Sequence, residues 1–112
     1  MWVDPDFYAG ATGIPDDSLF PLQRGPAKVS GPAAWDLSIG GSWPIIAIVD
    51  TGIDATHPDL AAKILPGWNF VANSPDTSDD HGHGTHVSGI TAALSNNADG
   101  LAGMAWGNPI LP

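Results

Sequence analysis

Ile45-Ile46-Ala47-Ile48-Val49-Asp50-Thr51-Gly52 carries the clearest structural signal in the chain. Its first five residues are all apolar and mostly β-branched, the composition of a strand covered on both faces of a parallel sheet. The run then changes abruptly to polar, turn-forming residues. In open α/β sheets ligands bind beyond the carboxyl ends of the strands, which makes Asp50 a candidate functional residue. A turn or capping aspartate is the alternative.

On the N-terminal side, a short helix is expected around Ala33-Ala34-Trp35-Asp36-Leu37, with Pro32 in its first turn and Gly40-Gly41 stopping it. Pro15 and Pro21 interrupt residues 14–25, and Gly10-Ala11-Thr12-Gly13 has the composition of a linker or cleavage zone. On the C-terminal side, His57-Pro58-Asp59-Leu60 reads as a turn into a short helical segment. Lys63 to Val71 is expected to be a second strand kinked at Pro66-Gly67. An acidic loop, a helix from about His83 to Leu94, a loop at Ser95–Gly100 and a strand beginning at Asn108-Pro109-Ile110-Leu111 complete the order. Strand, strand, helix, strand is the signature of an α/β domain.

Chemistry concentrates in Asp80-His81-Gly82-His83-Gly84-Thr85-His86-Val87-Ser88-Gly89-Ile90, where a glycine-rich loop turns into the helix. Val87, Ile90 and Leu94 recur at three and four residues, so an inward apolar face is expected, with His83 on it and His86 beside it. A polar ring on such a stripe is either bound into a network or used as a reagent. An aspartate at a strand end and a histidine at a helix start suit nucleophilic catalysis. The carboxylate fixes the imidazole tautomer, and the other ring nitrogen takes a hydroxyl proton.

Composition narrows the partners. All twelve acidic residues are Asp, against three basic ones, for a net charge of −9. Nucleic acids and anionic membranes need basic patches, so neither is expected as a partner. Short carboxylates suit caps, turns and hard cations such as calcium. No apolar run approaches a membrane span, and the lack of cysteine leaves the redox compartment open.

With these residues in view, the chain resembles the subtilisin-like serine proteases, the subtilases, of the thermitase-like branch. The resemblance lies in Ile48-Val49-Asp50-Thr51-Gly52-Ile53-Asp54 with His57-Pro58-Asp59-Leu60, and in His83-Gly84-Thr85-His86-Val87-Ser88-Gly89-Ile90. It extends from about Pro15 to the last residue. It implies a partial subtilisin-like α/β three-layer fold with a parallel sheet, truncated after the histidine helix. Residues 13–112 would be the N-terminal part of the catalytic domain. Residues 1–12, through Trp2-Val3-Asp4-Pro5-Asp6-Phe7, resemble the end of an inhibitory propeptide, with maturation between about Tyr8 and Pro15.

By that resemblance Asp50 orients His83, and His83 acts as general base and then general acid in peptide-bond hydrolysis through an acyl-enzyme. The substrate would be a peptide or protein, the own propeptide a partner, and the enzyme exported. The family's serine is expected well beyond the histidine box. The serines after His83 are Ser88, on another side of the same helix, and Ser95, at its far end. The chain by itself is therefore expected to be inactive. Loss of the serine costs roughly 10⁶ in turnover in subtilisin, a value belonging to that enzyme. The resemblance also implies a structural calcium site, with carboxylates from Asp17 and Asp59, the side-chain oxygen of Asn97, and carbonyls of Leu94, Asp99 and Leu101. His86 becomes a packed structural ring.

Two other readings compete. His81, His83 and His86 with Asp50 could ligate zinc in a metal hydrolase. The chain could also serve as a non-catalytic, calcium-binding subtilase fragment.

Overall fold

The computed structural model describes residues 13–112. The expected propeptide end and linker at residues 1–12 lie outside the described residues. Strand β1 (Ile46–Ala47) runs parallel to β2 (Ile110–Leu111), with Ile46 opposite Ile110 and Ala47 opposite Leu111. The ladder is extended by Ile46 N–H to the Pro109 carbonyl and Ile48 N–H to the Leu111 carbonyl, both 2.9 Å. Regular pairing is thus shorter than the apolar run. Among the described residues only one face of β1 is packed: Ile46 and Ile48 are half-buried while Val49 is 94% exposed. The expected cover on both faces is not present, because no described element lies over the Val49 side.

The second expected strand, Lys63 to Val71, is also corrected. Ile64 makes a single parallel bridge to Ile110 on the far side of β2, and Leu65 N–H reaches the Ile110 carbonyl. Beyond Pro66-Gly67 the chain turns, because the Asn69 side chain takes its own neighbours' amides. Asn69 Oδ1 accepts from Val71 N and Ala72 N at 3.0 and 2.9 Å. An asparagine that binds local backbone in this way competes with a ladder. Asn69 and Ser74 then pair antiparallel, leaving Phe70 and Val71 exposed at the turn.

Helices α1 (Arg24–Lys28) and α2 (Gly31–Trp35) precede the sheet, and α3 (His83–Ala92) packs against it. Helix α2 starts two residues earlier than expected, with proline in its first turn as the sequence suggests. Trp35 is buried between Phe20 and Trp106, at ring centroid distances of 5.8 and 5.2 Å, and its indole N–H donates to the Met104 carbonyl. The main core joins Ile53, Leu60, Ala92, Ala93 and Ile110, with Ile46, Ile48, Ile64, Leu101 and Ala105 packed around it.

Helix α3 turns a different face inward from the one expected. Gly84, Ser88, Gly89 and Ala92 are buried, whereas Val87 is half-buried and Ile90 and His83 are exposed. A Cβ on Gly84 would collide with the Gly52 carbonyl, and one on Gly103 with the backbone at Ala92-Ala93. The helix approaches its neighbours backbone to backbone, which only small residues allow.

Candidate active site

Asp50 stands two residues past the last β1 ladder bond, and His83 is the first residue of α3. His83 Nδ1 lies 2.8 Å from Asp50 Oδ1 and 3.0 Å from Oδ2. A carboxylate only accepts, so Nδ1 carries the proton and Nε2 keeps its lone pair. The Asp50 side chain is 17% exposed and that of His83 58%, so the ring is held at its base and open at its tip. The His83 bond, followed by the Thr51 backbone amide at 2.7 Å, holds the Asp50 carboxyl below the usual carboxylate range against a smaller desolvation effect. The pair can orient an imidazole and stabilise its charged form, the work a carboxylate–histidine couple does beside a hydroxyl nucleophile.

The loops carrying the pair are fitted to each other. Gly52 has φ +116°, and a Cβ there would meet the Ser78 carbonyl, so glycine is needed where the Asp50 turn passes the loop ahead of α3. Asp79 then binds both sides. Its Oδ1 accepts from Thr51 Oγ1 (2.7 Å), His81 N (3.0 Å) and Gly82 N (2.8 Å). Its Oδ2 accepts from Thr85 N (2.9 Å) and Thr85 Oγ1 (2.6 Å). Desolvation works to raise the Asp79 pKa. The bonds from Thr85, Thr51 and Gly82 outweigh it and hold the carboxyl well below the usual range. Asp79 was missed in the sequence, where it is one of several acidic loop residues. The available signal was an aspartate just ahead of a helix whose N-cap position is glycine, so that its first amides need an acceptor from elsewhere.

His81 lies exposed in the loop ahead of α3, and His86 is placed differently from the expectation. His86 is exposed, so it is not a packed structural ring. The His81 ring is edge-on to His83 at 6.5 Å between centroids. Among the described residues no three His or Asp side chains converge to hold a metal ion, and His83 Nδ1 and Asp50 bind one another. The set His81, His83, His86 and Asp50 is thus not gathered round one point. Ser88 is buried in α3 with its Oγ unpartnered, and Ser95 Oγ bonds the carbonyls of Ala93 and Gly103.

The residues expected around calcium meet on one loop. Asp17 is 2% exposed and Asp59 5%. Asp17 Oδ2 accepts from Asn96 N at 2.7 Å, while its buried Oδ1 has no partner. Asp59 Oδ2 accepts from Leu101 N and Oδ1 from Asn97 Nδ2, both 3.0 Å, and its backbone carbonyl accepts from Leu94 N. The Asn97 side-chain oxygen accepts from Asp99 N.

A carboxylate beyond a parallel strand is thus bonded to a histidine heading a helix that packs on the sheet, an arrangement able to orient an imidazole. Comparison with known proteins gives the family. The Subtilase family profile matches residues 41–112, and the chain belongs to that family. It is 44% identical over 111 residues to a thermophilic serine proteinase of Bacillus sp. (strain AK1), covering 98% of this chain and 28% of that protein. Thermitase of Thermoactinomyces vulgaris is 50% identical over 92 residues, 81% of this chain and 33% of its own length. A solved protease from Pseudoalteromonas arctica superposes with a TM-score of 0.79 at 31% identity, over 89% of this chain and 38% of that one. The chain thus spans about a third of the length of these relatives, and its architecture is a partial α/β subtilisin fold.

Proposed function

We propose that the chain supplies the aspartate and histidine of a serine endopeptidase, and that the observation carrying this reading is the Asp50–His83 bond. Asp50 holds the Nδ1–H tautomer, which leaves Nε2 to take the proton of a serine hydroxyl as it attacks a peptide carbonyl. His83 then returns that proton to the leaving amine, with Asp50 stabilising the imidazolium between the two steps. The serine is not among these residues, so the 112-residue polypeptide assayed alone is expected to hydrolyse nothing. The substrate is a peptide or protein, and by family resemblance the enzyme is exported and folds with its own propeptide. The same resemblance gives calcium a structural role, neutralising the carboxylates of Asp17 and Asp59 and tying their segments together. The buried, unpartnered Asp17 Oδ1 supports that role.

A chimera tests the catalytic reading. Residues 13–112 replace the matching segment of the Bacillus sp. (strain AK1) serine proteinase. The chimera is expected to hydrolyse a peptide substrate, with Asp50→Asn lowering kcat by about 10⁴, as the equivalent change does in another triad protease. A folded, active chimera indifferent to Asp50→Asn and His83→Ala would refute the assignment.

A further inference from the structure

We infer that Asp79 is a positioning residue for the Asp50–His83 pair, holding the two loops in register through Thr51 on one side and the head of α3 on the other. The inference rests on the reading of His83 as the proton carrier. Asp79 touches neither member of the pair. It holds the residues beside them. Thr51, next to Asp50, donates its N–H to the same Asp50 Oδ1 that faces His83 Nδ1. Its hydroxyl donates to Asp79 Oδ1, which directs a hydroxyl lone pair to Gly84 N at 3.0 Å. Gly84 follows His83, and Gly82, which precedes it, donates to the same Asp79 oxygen. One carboxylate therefore fixes the flanks of both partners. Thr85 completes the arrangement by donating its N–H and hydroxyl to Asp79 Oδ2, while its oxygen accepts from Asp54 N in the Asp50 turn.

Simple capping of α3 would need only the amides of the histidine side. The bond from Thr51 Oγ1 crosses between the two boxes, and it is among the shorter of the five. Bonds to an ionised acceptor are shorter and stronger than neutral ones. A drift of the order of an ångström between catalytic groups is costly in rate, so a device that fixes their separation bears on function.

The test reads the His83 Nδ1 proton by NMR in the isotope-labelled 112-residue chain, with thermal unfolding measured alongside. In the wild type a protected Nδ1–H signal coupled to the single tautomer is expected. In Asp79→Asn and in Thr51→Val, exchange of that proton with water is expected to accelerate about tenfold or more, with both tautomers populated. Thr51→Ser, which keeps the hydroxyl, is expected to retain the wild-type signal. Asp80→Asn removes a neighbouring charge that takes none of these bonds, and it is also expected to retain the signal. If Asp79→Asn is folded and keeps the wild-type Nδ1–H signal, Asp79 is only a helix cap and the inference is wrong. If Asp79→Asn does not fold, Thr51→Val decides, and an unchanged signal there is equally fatal. A wild type without the Nδ1–H signal removes the pair itself, and the positioning role with it.

Discussion

Lys63 is the buried cation of the chain, whereas Arg24 and Lys28 are exposed. Its Nζ donates to the carbonyls of Ala105 (2.7 Å) and Trp106 (2.9 Å), closing the turn after Asp59 onto the segment that leads into β2. Burial lowers its pKa to about 8, with Asp59 opposing the shift. An amine whose folded pKa lies below its unfolded value of 10.5 binds its proton more tightly when unfolded. Stability therefore rises with pH through the window from about 8 to 10.5, where the folded state has released a proton that the unfolded state retains. Neutral lysine still has two N–H groups for the two carbonyls, so the contacts survive the titration. Denaturant unfolding from pH 7 to 10 should show this gain in the wild type, and Lys63→Met should abolish it. Lys63→Met is also expected to lower stability at neutral pH by about 1 kcal/mol, because two half-buried carbonyls lose their donor. An identical pH slope in both proteins would contradict the assignment.

Helix α3 depends on the absence of side chains where it meets the Asp50 turn. Gly84→Ala would push a methyl group into the Gly52 carbonyl, and backbone on both sides would have to move. Overpacking of this kind costs about 1–3 kcal/mol. Because Gly84 N also bonds Thr51 Oγ1, the same shift is expected to lengthen the Asp50–His83 bond. In the chimera described above, Gly84→Ala should lower kcat by at least about tenfold while Gly89→Ala, whose added methyl meets only the flexible end of Leu101, leaves it near the parent value. Equal kcat for the two variants would show that the contact does not transmit to the pair. This helix also marks what the sequence could and could not disclose. The Asp50–His83 pairing was legible because an aspartate past a strand end and a histidine at a helix start suit a bonded couple, and the two do meet. The buried face was not, because apolar periodicity points to Val87, Ile90 and Leu94, while the packing uses Gly84, Ser88 and Ala92. Close backbone approach selects for smallness, which hydrophobicity does not register. Likewise β-branched and aromatic residues around Trp68 and Phe70 suggested a strand, and a single asparagine side chain redirected the backbone into a turn.

On the scale of the whole molecule, the loop at residues 94–101 joins three parts of the chain that are far apart in sequence. Asn96 N and Ala98 N donate to Asp17 and Asp16, and Leu19 N donates to the Gly100 carbonyl, which fastens the N-terminal segment. Asp59 takes Leu101 N and the Asn97 amide, which fastens the turn after His57. The same loop continues directly from α3, so its placement bears on the helix that carries His83. Its anchors are carboxylates in a chain of net charge −9, and one of their buried oxygens has no donor. An unpaired buried carboxylate oxygen is expensive, and self-repulsion of a strongly acidic chain adds to the cost. A bound divalent cation relieves both. Calcium at about 100 times its dissociation constant would add about 2.7 kcal/mol of stability. For a domain near this size that corresponds to roughly 10 °C or more in Tm. Chelator titration followed by thermal unfolding should show that loss, and Asp17→Asn should lower Tm in calcium while making it insensitive to chelator. Magnesium is expected to substitute poorly, since it holds its waters and demands a tighter octahedral shell than a loop of carbonyls and carboxylates offers. A wild-type Tm that is the same in chelator and in excess calcium would mean that these aspartates act as loop acceptors alone.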